Sequence, residues 1–354
     1  MNLPRKFSRG QMFVLMTLAL AALLGAMALC TDVAVLYFNW MQLRKAADAA
    51  ALAGAAYLGP FASAPAQPGS CDWGGGMPAY DVACSYAEIN GIAPGEIAAI
   101  GPATSLPPGV TIPYGAQTLQ ISLQRSTIPM FFARVLNPSG STFTAAVNAT
   151  AVGPAPLQTM TQGMFPAALL SAYAPSSYLQ QVTLTLSGSG SNMVWLDLPA
   201  CSPIGSAPPV RSMGGGANLS NDINNGSTCS YSIGSETAVA SADQLNRHSD
   251  EINGAMMNRI QQPDLPAPPL TQLNSRDPQL VVVPIVETQS TRGGKGRNGQ
   301  IATIEGFASF WIMNFMPAGG SQTVKGEFIE FTADYGIGGA QIGYGAYSKP
   351  YLID

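Results

Sequence analysis

The chain has 354 residues, of which only 10% are charged, with 38 glycines, 28 prolines and a formal net charge of −4. An average globular protein carries about 25% charged residues, so this is not the composition of a typical cytoplasmic enzyme. The mildly acidic balance and the lack of a basic stripe give nucleic acid no electrostatic footing.

The first predicted element runs from Gln11 to Tyr57. Met12 to Cys30 contains no charge, and about nineteen such residues cross a bilayer core of roughly 30 Å. No proline interrupts the run before Pro60, so one helix of about 70 Å is expected, half in lipid and half above it. Between Ala46 and Ala56 almost every residue is alanine, the best helix former, and so small a face lets another backbone approach closely. Leu36, Leu43, Ala50 and Tyr57 recur at sevens, which suits a seam against a partner helix or the protein's own head. Leu43, Ala47, Asp48, Ala50 and Ala51 are the candidate packing residues. Asp32, at the outer edge of the apolar run, is either a functional group or a hydrated marker of the membrane exit.

Arg5, Lys6 and Arg9 precede the apolar run, with no acid among the first ten residues. The positive-inside bias then keeps residues 1–10 cytoplasmic and exports the rest. A cleaved signal peptide is the competing reading, through Ala26-Met27-Ala28. The apolar character continues to Phe38, however, which is longer than a signal core requires.

Four cysteines, Cys71, Cys84, Cys201 and Cys229, fall on the exported side, and an even number suggests two disulfides. Three connectivities are open; pairing Cys71 with Cys84 and Cys201 with Cys229 would keep each bridge within one domain. No CxxC pair occurs, and the single histidine, His248, has no companion at metal-ligand spacing. No metal or cofactor is expected.

Behind the stalk, 58–78 reads as a Pro/Gly/Ser-rich loop. Ala79–Asn90 has helical spacing with Gly91 as its stop. Gln117–Gln124 alternates as a strand with Leu119, Ile121 and Leu123 on one face. Ile128–Leu136 reads as a short helix, and Ser141–Val152 as a second strand. Gly153-Pro154-Ala155-Pro156 marks a boundary, giving a small α+β domain over 58–156 and a β-rich domain over 157–354.

In the second domain, strands are expected over Gln181–Ser187, Met193–Leu198, Gln279–Glu287, Ile301–Asn314 and Thr323–Phe331. Pro284 suggests an edge or bulge. Pro199–Gly234 reads as loop, and Gln244–Ile260 as a helix. The turn-rich joins suggest a sandwich or barrel. The fold class is therefore α+β: a long N-terminal transmembrane and stalk helix, a small α+β domain, and a β-rich C-terminal domain.

Catalytic constellations are weak. His248 sits in a polar helix stretch with Asp250 and Glu251. The glycine clusters Gly188–Gly190 and Gly214–Gly216 do not precede a helix with Lys-Ser/Thr. Glu327 and Glu330 fall on opposite faces of their strand, which weakens a paired-carboxylate site. Arg292, Lys295 and Arg297 form a basic turn, read chiefly as a solvated one.

Several stretches together resemble the TadE/TadG-like family of the tight-adherence (Flp) pilus system. They are Arg9-Gly10-Gln11 before the apolar run, Asp32-Val33 at its end, and Leu43-Arg44-Lys45-Ala46-Ala47-Asp48-Ala49-Ala50-Ala51-Leu52-Ala53-Gly54-Ala55. Ser85-Tyr86-Ala87 with Asn90-Gly91, and Phe131-Phe132-Ala133-Arg134-Val135 with Ala149-Thr150-Ala151, complete the pattern. The resemblance covers about the first 155 residues well; later it is looser, through Val194–Leu198, Val281–Pro284 and Gly306–Ala308. It implies a non-enzymatic envelope protein of the bacterial inner membrane that assembles, anchors or decorates a pilus. Its partners would be pilus assembly proteins or pilin-like subunits, with self-association through the N-terminal helix. Processed pilins of that system carry a glutamate five residues after a cleaved glycine. Here Gly10-Gln11 is placed for processing but the fifth residue is Leu15, which favours a retained anchor. The alternatives are a polymerising pilin-like subunit cut after Gly10, found in surface filaments, and a membrane-tethered envelope enzyme or carbohydrate binder.

Overall fold

A computed structural model describes residues 9–58, 77–132, 142–186, 191–208, 219–261, 263–268, 273–292, 298–318, 321–340 and 342–353. Helix α1, Arg9–Ala55, is continuous over 47 residues. It is long and apolar enough to cross a bilayer, as its composition predicts. Its two halves have different surroundings. The twenty residues Met12–Thr31 are exposed except for half-buried Ala28, whereas Leu43, Ala46, Ala47, Ala50, Ala51 and Ala55 are fully buried.

That burial comes from the protein's own head. Helix α2, Pro78–Ile89, and the strands β2, Thr118–Pro129, and β3, Thr142–Val152, pack on the alanine face. Proline at the first position of α2 needs no amide partner. The helix ends on Gly91, whose φ of +83° suits the left-handed cap. The Ile92 amide donates to the Ala87 carbonyl at 3.1 Å and the Gly91 amide to the Glu88 carbonyl at 2.9 Å, closing a Schellman motif. Gly54 lets the two helices meet: a Cβ there would lie 2.7 Å from both the Ala79 oxygen and the Ala83 Cβ.

The sheet of this unit is antiparallel, in the order β1 (Ile97–Gly101), β2, β3 and β16 (Tyr351–Ile353). Leu119, Ile121 and Leu123 are all buried, as alternation predicts. The helix expected over Ile128–Leu136 is corrected in its described part. β2 continues to Pro129, with Ile128 opposite Phe143 and Pro129 opposite Thr142; 133–136 lie outside the described residues.

Strand β16 pairs with β3 through Tyr351–Val152, Leu352–Ala151 and Ile353–Thr150. The chain therefore crosses the expected division at 156/157 a second time. Where it leaves and returns, the Ser348 amide donates to the Ala155 carbonyl at 2.8 Å, and the Ala155 amide to the Ser348 hydroxyl at 3.2 Å. A bridge between Pro156 and Tyr347 extends this contact. The two units are thus joined by two hydrogen-bonded chain segments rather than a single linker.

The excursion between them is β-rich. Its main strands are β5 (Ala167–Leu170), β6 (Gln181–Leu186), β7 (Met193–Asp197), β9 (Glu236–Val239), β10 (Leu280–Arg292), β11 (Asn298–Ala318) and β12 (Ser321–Ile329). Pairings run β10-β5-β7-β6-β12-β11, and β11 pairs with β10 in turn, so the circuit closes. β6 and β7 meet through the single pair Leu186–Met193. Pro284 pairs with Phe307 of β11 and lies beside a register shift at Ile285/Val286, the bulge of the two alternatives; β5 pairs with β10 only at Ile285 and Val286. Trp195, Phe310, Phe315 and Phe328 fill the interior, with Phe310 and Phe328 centroids 4.9 Å apart. Short strands β4 (Leu157–Met160), β8 (Tyr231–Ser232) and β14 (Gly336–Gly338) form a small satellite sheet, and β13 (Phe331–Thr332) pairs with β15 (Ala346–Tyr347).

The stretch Pro199–Gly234, expected as loop, contains helix α3, Leu219–Asn225, and β8. The single helix expected over Gln244–Ile260 is two, α4 (Ala242–Arg247) and α5 (Ser249–Arg259). The break falls at His248, whose φ of −115° and ψ of 20° leave the helical range. Ser241 caps α4 by accepting the Gln244 amide.

Candidate functional site at the helix–head junction

The clearest polar constellation lies where α1 passes from exposed to buried. Asp32, the first charged residue of the helix after Arg9, is 1% exposed. Its carboxylate accepts the Phe131 amide at 2.9 Å and the Phe132 amide at 3.1 Å. A charge at this depth is tolerable because it is hydrogen-bonded. Asp32 is thus neither hydrated nor simply a membrane-exit marker. It fastens the end of β2 to the helix across about a hundred residues of sequence. The aromatic side chains above those amides, Phe131 and Phe132, remain 60% and 45% exposed.

Two to three turns beyond Asp32, a second tie is made by Arg125 of β2. Its guanidinium donates to Glu96 (Nη2 to Oε2, 3.0 Å), to the Asn39 side-chain oxygen at 2.8 Å and to the Gln42 side-chain oxygen at 3.2 Å. The Arg125 hydrogen bond holds the Glu96 carboxyl below its ordinary range, and Glu96 raises Arg125 in turn. Such a paired fork fixes orientation as well as distance. Higher still, Arg44 bonds both Asp48, at 3.2 Å, and the Asn148 carbonyl of β3, at 3.2 Å. The helix is therefore pinned to the sheet at three levels.

The other sequence candidates fall as follows. Leu43, Ala47, Ala50 and Ala51 face the head core, and Asp48 is half-buried in its Arg44 pair. Gly10 and Gln11 lie in the first turns of α1. Cys201 and Cys229 form a disulfide. Cys84 is buried and disulfide-bonded; Cys71 lies outside the described residues, as do Lys295 and Arg297. Cys30 is free and exposed. His248 pairs locally with Glu251 at 3.0 Å. No group of three or more metal-ligating side chains occurs among the described residues.

Sequence reasoning missed two buried features of the second unit. Arg259 donates to the Ile223 and Asn224 carbonyls at 2.7 and 3.0 Å, at the C-terminal end of α3, where a cation is favoured. It also stands 5.6 Å from the Phe165 ring centroid, and burial pulls its guanidinium down to about 10. Beside it is a cleft of about 230 Å³ lined in part by Arg276, Asp277, Asp334 and Tyr335. That is smaller than most small-molecule sites, which start at roughly 300 Å³.

The second feature is the pair Asp197 and Asp222, both buried. Burial, and then the Asp197 charge, push the Asp222 carboxyl up to about 7. A raised carboxyl favours the protonated folded state, so its stabilisation is complete below about pH 4 and is lost as pH rises through about 7. Asp222→Asn is expected to stabilise the protein at neutral pH by roughly 2 kcal/mol, after allowing for residual solvent access. It should also flatten the thermal midpoint between about pH 4 and 7. A midpoint that falls equally across that range in the variant would assign the slope to other groups.

No known family, curated protein or solved structure matches the chain. Its class therefore rests on its own architecture: a bilayer-length apolar helix continuing without a break into the core of a head.

Proposed function

We propose that this is a single-pass bacterial envelope protein that helps to assemble, anchor or decorate a tight-adherence pilus. In this reading the N-terminus is cytoplasmic and both folded units are exported. The observation that carries the membrane part is the uninterrupted uncharged, exposed run of α1 that ends at Asp32. Twenty uncharged residues, all exposed but Ala28 and about 30 Å of helix, precede Asp32, the first residue of α1 buried against the head. The hydroxyls within that stretch are internally satisfied: Thr17 donates to the Phe13 carbonyl and Thr31 to the Met27 carbonyl, each at 2.9 Å, as a lipid environment requires. The Cys201–Cys229 disulfide supports an oxidising compartment. The pilus assignment rests on the TadE/TadG-like resemblance of the helix and stalk.

A second reading, a filament subunit cut after Gly10, draws support from the same exposed apolar helix, because subunit cores are built from such faces. The deciding measurement is the intact mass and N-terminal sequence of the protein from inner membranes and from sheared surface material. An uncleaved N-terminus in the membrane fraction alone is expected. A start at Gln11 in sheared filaments would replace the anchor with a filament subunit.

A further inference from the structure

Phe131, Phe132 and Phe143 are 60%, 45% and 50% exposed, although they lie beside a well-formed core. Phe143 opposes Ile128 at the same end of the sheet. The Asp32 carboxylate fixes the backbone of Phe131 and Phe132 at the level where the uncharged, exposed run Met12–Thr31 gives way to the first residue of α1 buried against the head. On α1 itself, Tyr37 and Phe38 are 60% and 70% exposed, within about 9 Å of Asp32 along the axis. Exposed aromatics from two separate elements thus lie at Asp32 and within about two helical turns beyond it. The uncharged run Met12–Thr31 ends directly below them.

We propose that this end of the β2–β3 pair is a foot that enters the headgroup layer of the membrane, with Asp32 as the pin that holds it to the helix. The occupant is a lipid surface. Aromatic side chains are favoured at the membrane–water boundary, and apolar side chains inserted there add binding in proportion to the area they bury. The helix leaves a bilayer-thick segment directly below the foot, so a head attached at Asp32 meets the interface without bending. Lipid contact at the foot, together with the Arg125 and Arg44 ties above it, would set the tilt of the head. Here the pin fixes the foot in depth as well as in orientation.

The proposal rests on the membrane-anchored reading, and one experiment separates the two. The full chain, in a Cys30→Ser background with its disulfides oxidised, is given one nitroxide label at Phe132→Cys, Phe143→Cys, Leu20→Cys or Ser105→Cys. It is reconstituted into vesicles of phosphatidylethanolamine and phosphatidylglycerol. Power saturation compares access of oxygen with that of a water-soluble nickel chelate. Leu20 is expected to be deep in lipid, and Ser105, exposed in the loop before β2, to be in water. The labels at Phe132 and Phe143 should report a shallow lipid depth between them, and Asp32→Ala should shift Phe132 toward water and sharpen its spectrum. Phe132 and Phe143 matching Ser105, with Leu20 still in lipid, would overturn the foot and leave the anchor standing. Leu20 in water would overturn both. Spin–spin broadening at Phe132 without lipid access would assign the patch to a second copy of the chain instead. An Asp32→Ala spectrum identical to the parent would remove the pin.

Discussion

Ala50→Leu is expected to destabilise the head by about 3 kcal/mol, the upper end of what overpacking costs. Ala50 is fully buried in the cluster that joins α1 to α2, β2 and β3. Its neighbours along the helix face, Ala46, Ala47 and Ala51, are equally buried, so no flexible side chain stands aside to make room. The nearby crossing is tight enough that even a methyl at Gly54 would meet the backbone of α2 at 2.7 Å. Three added carbons must therefore separate the helix from the sheet or force strained rotamers. For a unit of this size the loss corresponds to a drop of roughly 10–20 °C in thermal midpoint, read by circular dichroism on the full chain in detergent. Leu52→Ala, at a position 37% exposed on the opposite face, should change the midpoint little. If the alanine face served contacts between copies instead, Ala50→Leu would alter oligomeric state and leave the midpoint within a degree or two of the parent.

That experiment separates the two uses of the alanine seam that the sequence leaves open. Repeats of seven at Leu36, Leu43, Ala50 and Tyr57 specify that something small packs there; they do not say what. The partner is β3, about a hundred residues away in sequence, together with α2, and no local signal encodes such a pairing. Where the structure depends on neighbours in sequence, it is legible. The alternation of Leu119, Ile121 and Leu123 marks a strand, and Gly91 marks the end of α2. Where it depends on distant residues, local patterning misleads. Ile128–Leu136 has two adjacent aromatics and an apolar rhythm that reads as helix. In the fold, β3 holds Ile128 and Pro129 extended, and Asp32 takes the amides of Phe131 and Phe132.

Asp32 is conspicuous in sequence because it is an isolated carboxylate at the end of an apolar run, but its role depends on partners 99 and 100 residues later. Arg125 carried a weaker signal, a charge inside an alternating strand, and its three acceptors come from α1 and the turn before β1. β16 was the least legible element: three residues whose pairing with β3 is some two hundred positions distant. Together these contacts fasten the membrane-length helix to the first unit, and the hydrogen-bonded segments at Ala155 and Ser348 join that unit to the second.

Replacing both Cys201 and Cys229 with alanine is expected to cost the second unit about 3–4 kcal/mol. The bridge closes a loop of 28 residues, and loop-closure entropy for that length gives a value in this range. Cys229 is fully buried and Cys201 nearly so, within the cluster that contains Tyr231, Leu198 and Met164, so alanine is preferable to serine, which would bury a hydroxyl. Part of the loop should hold without the bridge. The Cys201 amide donates to the Thr228 hydroxyl at 2.9 Å, the Gly205 amide to the Thr228 carbonyl at 2.8 Å and the Ser230 amide to the Ser206 carbonyl at 2.9 Å. Arg259 independently holds the end of α3. The expected outcome is thus local opening before global unfolding: a lower midpoint and a new protease-sensitive site between 201 and 229, with the first unit intact. The double variant is needed because Cys84 is also disulfide-bonded, so a reductant acts on both units at once. A variant with the parent's midpoint and digestion pattern would mean that the hydrogen bonds and Arg259 suffice. The bridge would then mark the compartment in which the protein matures without adding to its stability.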